Sequence, residues 1–117
     1  MIVTTGSDVP DHHVARILGV VRGSSIRAAH VGRDISAYIK NLVGGEIEEY
    51  TKMMAEAREQ SFDRMCDQGR LLGANAIVGI RFSTSFIMSG TAEFLAYGTA
   101  VLLDDLTEEE DGPPILK

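Results

Sequence analysis

Three histidines, His12, His13 and His30, and a single cysteine, Cys66, are the residues of this 117-residue chain best suited to hold a transition-metal ion. Sites for zinc or copper want several thiolates or imidazoles at short spacings, and no such motif is present here. If His12 and His13 lie in a strand, adjacent side chains point to opposite faces and cannot chelate one ion from the same chain. A metal would then need ligands gathered one per chain around a symmetry axis. Cys66 stands between Met65 and Asp67, beside an apolar stripe, which is the ordinary place of a small core or interface residue. His30 precedes a loop and can cap, hydrogen-bond or bind a ligand.

Gly44-Gly45-Glu46 has the composition of an anion nest at a helix N-terminus. However, Glu46, Glu48 and Glu49 already complement the helix dipole and would repel a phosphate, so a helix break is the leading interpretation. Arg81 falls within an apolar strand, where a guanidinium needs a carboxylate or carbonyl partner, and Glu93 is the candidate. Tyr50, Tyr97 and Arg33 could complete a polar pocket between chains, with aromatic packing as the plainer account. No activated nucleophile, matched acid and base pair, phosphate loop or dinucleotide fingerprint is visible, so no catalytic residue is assigned.

The elements that must position these residues are set by periodicity. His13 to Arg27 reads as a long strand, apolar on both parities, with Gly19 and Gly23 marking a bulge, bend or close backbone approach. Ile2-Val3-Thr4 suggests a short edge strand. Asp34 can cap a short helix carrying Ile35, Tyr38, Ile39 and Leu42. After Gly44-Gly45 a long helix begins near Glu46, with Ile47, Tyr50, Met54, Ala57, Phe62, Met65 and Leu72 on one stripe, and ends at Gly73. Asn75 to Met88 alternates as a strand, with Ala76, Val78, Ile80, Phe82, Phe86 and Met88 on one face and Ile77, Gly79, Arg81 and Ile87 on the other. Ser89-Gly90 signals a tight turn into a last strand, Phe94 to Leu103, and a two-residue turn would set Arg81 opposite Gly98.

This order predicts one α+β domain over residues 1–103: a small antiparallel sheet with one long helix on one face. The second sheet face has no cover within the chain, so another copy of the same chain is the economical partner. Asp104 to Lys117, with six acids and Gly112-Pro113-Pro114, reads as a disordered acidic tail. That tail dominates the formal charge of −6, since residues 1–103 hold ten bases against eleven acids. The body has no basic stripe to collect phosphates, which argues against nucleic acid as a partner. No stretch is long and apolar enough to span a membrane, and the first residues lack the regions of a signal peptide, so a cytoplasmic location is expected. With one cysteine, no intrachain disulfide is possible.

Three segments together resemble the YbjQ-like family. They are Gly32-Arg33-Asp34-Ile35 leading into Val43-Gly44-Gly45-Glu46-Ile47, then Leu72 to Phe82 (LGANAIVGIRF), and Glu93 to Val101 (EFLAYGTAV). The resemblance covers roughly residues 2–103 and implies a dodecin-like β-α-β-β subunit that assembles as a ring, a homopentamer, consistent with the uncovered sheet face. The family's name points to heavy-metal binding, and its biochemical role is not established. The chain is accordingly expected to be a homo-oligomeric binding or scaffold protein, with any small ligand held between subunits near Arg33, Gly44-Gly45-Glu46 and Arg81. A metal-binding protein and an enzyme of unknown reaction are the alternatives.

Overall fold

The computed structural model describes residues 1–28, 45–88 and 91–117. In chain order the elements are β1 (Ile2–Val3), β2 (Val14–Ala28), α1 (Gly45–Leu71), β3 (Ala76–Met88), β4 (Thr91–Leu103) and β5 (Ile115–Leu116). The short helix expected after Asp34 and the turn at Ser89-Gly90 lie outside the described residues. The class is α+β, with one helix laid on a five-stranded sheet of order β2-β4-β3-β1-β5.

The helix is amphipathic, as its sequence requires. Tyr50, Ala57, Ser61, Met65, Cys66 and Gly69 are buried, while Glu48, Lys52, Glu56, Glu59, Asp63 and Asp67 face water. It packs closely on the long β2. At Gly23 an added Cβ would collide with the Ser61 carbonyl and the Met65 nitrogen, so the glycine is what lets helix and strand approach. The helix ends in a Schellman arrangement: the Gly73 N–H donates to the Arg70 carbonyl at 2.9 Å and the Ala74 N–H to the Gly69 carbonyl at 3.0 Å. Gly73 takes φ +84° to allow this.

Pairing of β2, β3 and β4 is antiparallel, as expected, but the sheet as a whole is mixed. Instead of forming an edge, β1 runs parallel between β3 and β5. Two residues of strand need partners on both sides to persist, and both come from afar in sequence. The Ile2 N–H donates to the Asn75 carbonyl and the Thr4 N–H to that of Ile77, while on the other side the Ile115 N–H donates to the Met1 carbonyl. Residues 104–117, expected as a disordered tail, are thus laid against the sheet. Leu106 packs on apolar side chains and β5 completes the ladder, two interactions that an acidic composition does not announce.

The alternation expected along β3 breaks at Gly79. Its φ of +63° and the register shift between Val78 and Arg81 mark a bulge. Its N–H turns to the Gly6 carbonyl at 2.8 Å. The extra residue exchanges the faces on either side of it. Ala76 and Val78 pack with Ile2, Val9, Val101 and Leu103 on the face away from the helix. Ile77 and Ile80 instead join Val21, Met65, Cys66, Ala96 and Ala100 beneath the helix. Phe82 follows them, its ring stacked on Phe62 of α1 with centroids 6.4 Å apart. Nearer the start of α1, a third cluster joins Tyr50 and Ala57 to Ala92 and Phe94.

Candidate functional site

Directly paired residues of an antiparallel sheet share a face, so the register defines the surface opposite the helix. Across it run the rows Ile17 and Val101, then Val20, Thr99 and Val78, then Arg22, Tyr97 and Arg81, then Ser24, Leu95 and Ser83, then Ile26, Glu93 and Ser85. One end of this face is covered by Val9 of the loop after β1 and by Leu106. The rest is open: Ile17 is 70% exposed, Val20 75%, Ile26 58% and Tyr97 40%. Three aliphatic side chains in water along one strand are costly in the isolated chain, and apolar surface of this kind is where partners bind.

Arg81 stands opposite Tyr97, one position from the expected Gly98, because of the shift in register near Phe86. Its guanidinium is exposed, and Nη1 donates to the Thr5 carbonyl at 2.8 Å and to the Ile80 carbonyl at 2.7 Å. The expected pairing with Glu93 does not form. Glu93 lies between Ile26 and Ser85, four residues along β4 from Tyr97, or roughly 13 Å. Carbonyl oxygens answer the need for a partner that the sequence assigned to a carboxylate. Tyr50 is buried under the helix and Tyr97 lies on the far face, so the two tyrosines do not line one pocket within a chain. Gly45 and Glu46 open α1. Arg33, Gly44 and His30, with the side chain of Glu46, are outside the described residues.

The metal expectation finds no donor set here. Among the described residues, no three of His, Cys, Asp and Glu converge on one point. Cys66 is buried in the core under the helix, and desolvation pushes its thiol up to about 11, which opposes the thiolate a metal needs. His12 and His13 serve different ends. The His13 backbone exchanges bonds with Asp104, its N–H donating to Oδ1 at 2.8 Å and its carbonyl accepting from the Asp104 N–H at 3.1 Å. The His12 ring is committed on both sides, Nδ1 to the Asp104 carbonyl at 3.1 Å and Nε2 to Glu110 Oε2 at 3.2 Å. The described residues of one chain therefore do not fit a metal centre.

The His12–Glu110 contact is the feature that sequence reasoning missed. A signal was present: Thr107-x-x-Glu110 is a capping-box spacing. Here the Glu110 N–H donates to Thr107 Oγ1 at 3.2 Å, while the Thr107 hydroxyl and N–H donate to Glu110 Oε1 at 3.1 and 3.3 Å. On the helix side a separate open groove of about 450 Å³ runs between α1, β3 and β5, with Arg58, Phe62, Phe82 and Lys117 among its walls.

Fold and surface together define a two-layer α+β domain whose helix packs on one sheet face and whose other face keeps an open apolar row. The chain belongs to the YbjQ-like family: the family model described as "Putative heavy-metal-binding" matches residues 1–104. UPF0145 proteins of Archaeoglobus fulgidus and Methanoculleus marisnigri are 56% and 55% identical over 103 residues, covering 88% of this chain and 95% and 96% of theirs. One from Thermotoga maritima is 52% identical over 106 residues, covering 91% of this chain and all of the relative. A crystal structure of a protein of unknown function from Pediococcus pentosaceus superposes with a TM-score of 0.61 over 89% of this chain and 98% of that one. At 18% identity it supports the fold alone.

Proposed function

We propose that this chain is the subunit of a cytoplasmic, ring-shaped homo-oligomer of five dodecin-like units, serving as a binding or scaffold protein with any ligand held where subunits meet. The observation that carries this reading is the open row Ile17, Val20 and Ile26 on the face away from the helix. A second copy is the occupant we assign to it. Exposed apolar side chains also stand on the other face, where Phe82 and Phe86 lie beside the helix. Two different patches on opposite faces suit a head-to-tail contact, in which one patch of each copy meets the other patch of the next, and repeated rotation closes a ring. A ligand between copies would meet the row Arg22, Tyr97 and Arg81, whose two arginines and one tyrosine are a composition suited to a planar or anionic molecule. Among the described residues no helix is long and apolar enough to cross a membrane, which agrees with this reading.

Native mass spectrometry of untagged protein purified without added metal tests it. An oligomer, bare or carrying extra organic mass, supports the proposal. Retained zinc, copper or nickel would favour a metal site assembled across copies in place of an organic ligand. A monomer at micromolar concentration overturns the assembly.

A further inference from the structure

The imidazole of His12 lies between two groups that can only accept. The Asp104 carbonyl is 3.1 Å from Nδ1, and the Glu110 carboxylate is 3.2 Å from Nε2. A neutral imidazole has one N–H and can satisfy one of these; the imidazolium satisfies both and adds the charge that pairs with Glu110. Both acceptors belong to the segment after β4. That segment is fastened again at its far end, where the Lys117 N–H donates to the Val3 carbonyl at 2.9 Å and Thr4 Oγ1 to the Lys117 carbonyl at 3.0 Å. Between the two fastenings, Leu106 covers Ile2, Val9, Val101 and Leu103, and β5 occupies the outer edge of β1.

We propose that residues 104–117 form a clip over this end of the sheet, closed when His12 is protonated and loosened when it is not. The family match ends at residue 104, where the clip begins. Closed, it shields an apolar cluster and an unpaired strand edge, the two surfaces on which chains associate without control. Loosened, it uncovers both.

The groups around the ring set the sign of the pH dependence. The hydrogen bond to the Asp104 carbonyl, with the Glu110 contact adding to it, raises the His12 pKa above its ordinary value. The raised value contributes stability that is complete below the free histidine pKa of about 6.5 and is lost as pH rises through the folded value. Glu110 is lowered, first by the Thr107 backbone N–H and then by its hydroxyl and His12, so its contribution is lost only as pH falls below the ordinary carboxylate range. The clip is firmest in the mildly acid window between these limits. Other charged groups share its surroundings. Asp8, Asp11 and Lys117 line the same hollow as His12 and Glu110, and the Asp104 carboxylate faces the His13 N–H. The Met1 amine donates to the Gly112 and Pro113 carbonyls, and burial lowers its pKa.

Millisecond hydrogen exchange between pH 5 and 8.5 tests the clip, read as protection factors at the Ile115 and Lys117 amides. Protection in the unaltered protein should fall about tenfold for each unit by which the His12 pKa is raised. His12→Gln should remove that fall and leave only the opposite contribution of the Met1 amine, whose lowered pKa favours the closed clip as pH rises. In Glu110→Gln the His12 titration, followed by NMR, should move down towards the ordinary value. Amides of β4 report that each variant is folded, and native mass spectrometry of the same samples scores the assembly separately. A ratio of protection, unaltered protein over His12→Gln, that does not fall as pH rises overturns the proposal.

Discussion

Gly23 is the residue on which the contact between helix and sheet rests. Its missing side chain lets the backbone of Ser61 and Met65 lie against β2, and alanine there would put a methyl group where the helix backbone already is. Gly23→Ala should cost about 3 kcal/mol, since backbone cannot yield as a flexible side chain does, and the midpoint of urea unfolding will measure it. The sequence offered Gly23 as a place of close approach without saying what approaches. Cys66 was legible as a core residue. Its thiol, raised to about 11 by desolvation, should react with iodoacetamide at pH 8 about 100-fold more slowly in the native protein than in the unfolded chain. The same shift implies stability that is held below pH 9.0, the ordinary value, and lost as pH rises towards about 11, which unfolding curves at alkaline pH would show. Arg81 was harder to read. The strand it occupies was evident, but its partners are main-chain oxygens, which no residue type advertises.

At the scale of elements, the stops and starts were written locally. Gly73 ends α1 where a glycine was expected to end it, and its φ of +84° is the reason glycine stands there. Gly73→Ala should lower stability by about 1 kcal/mol, the cost of a left-handed conformation for a residue with a Cβ, visible as a fall in the midpoint of thermal unfolding. The long β2 is an edge strand, and α1 reaches over to guard it. Gln68 Oε1 accepts the Arg22 N–H at 2.7 Å, and Arg64 Nη1 donates to the Ser24 carbonyl at 2.5 Å. Gln68→Ala with Arg64→Ala should leave these groups to water or to another strand, and light scattering on standing should show the double variant aggregating where the parent does not. Periodicity placed α1 on this sheet but could not show that its polar flank also blocks an edge.

For the whole molecule, the exposed row on the face away from the helix leads to a prediction about assembly. Val20→Asp places a charge at its most exposed member, where an isolated subunit would tolerate it and a packed interface would not. Light scattering should show the variant reduced to smaller species, with circular dichroism unchanged. The bare face itself was legible in the residue pattern, because strands apolar on both parities cannot both be served by one helix. That it is partly closed at one end, by Val9 and Leu106, was not.

The sequence by itself determined the order of strand, long helix and hairpin, the stripe by which the helix packs, and the surplus of apolar surface. Each of these is set by neighbours a few residues apart, through a period of two or of 3.6. Only the tertiary structure decided the bulge at Gly79, the parallel insertion of β1 and the docking of the last fourteen residues on it. Those features depend on backbone groups from opposite ends of the chain finding each other, as when Gly79 donates to Gly6 and Lys117 to Val3. Every residue type but proline carries the same main-chain donor and acceptor, so side-chain identity leaves no trace of which will meet.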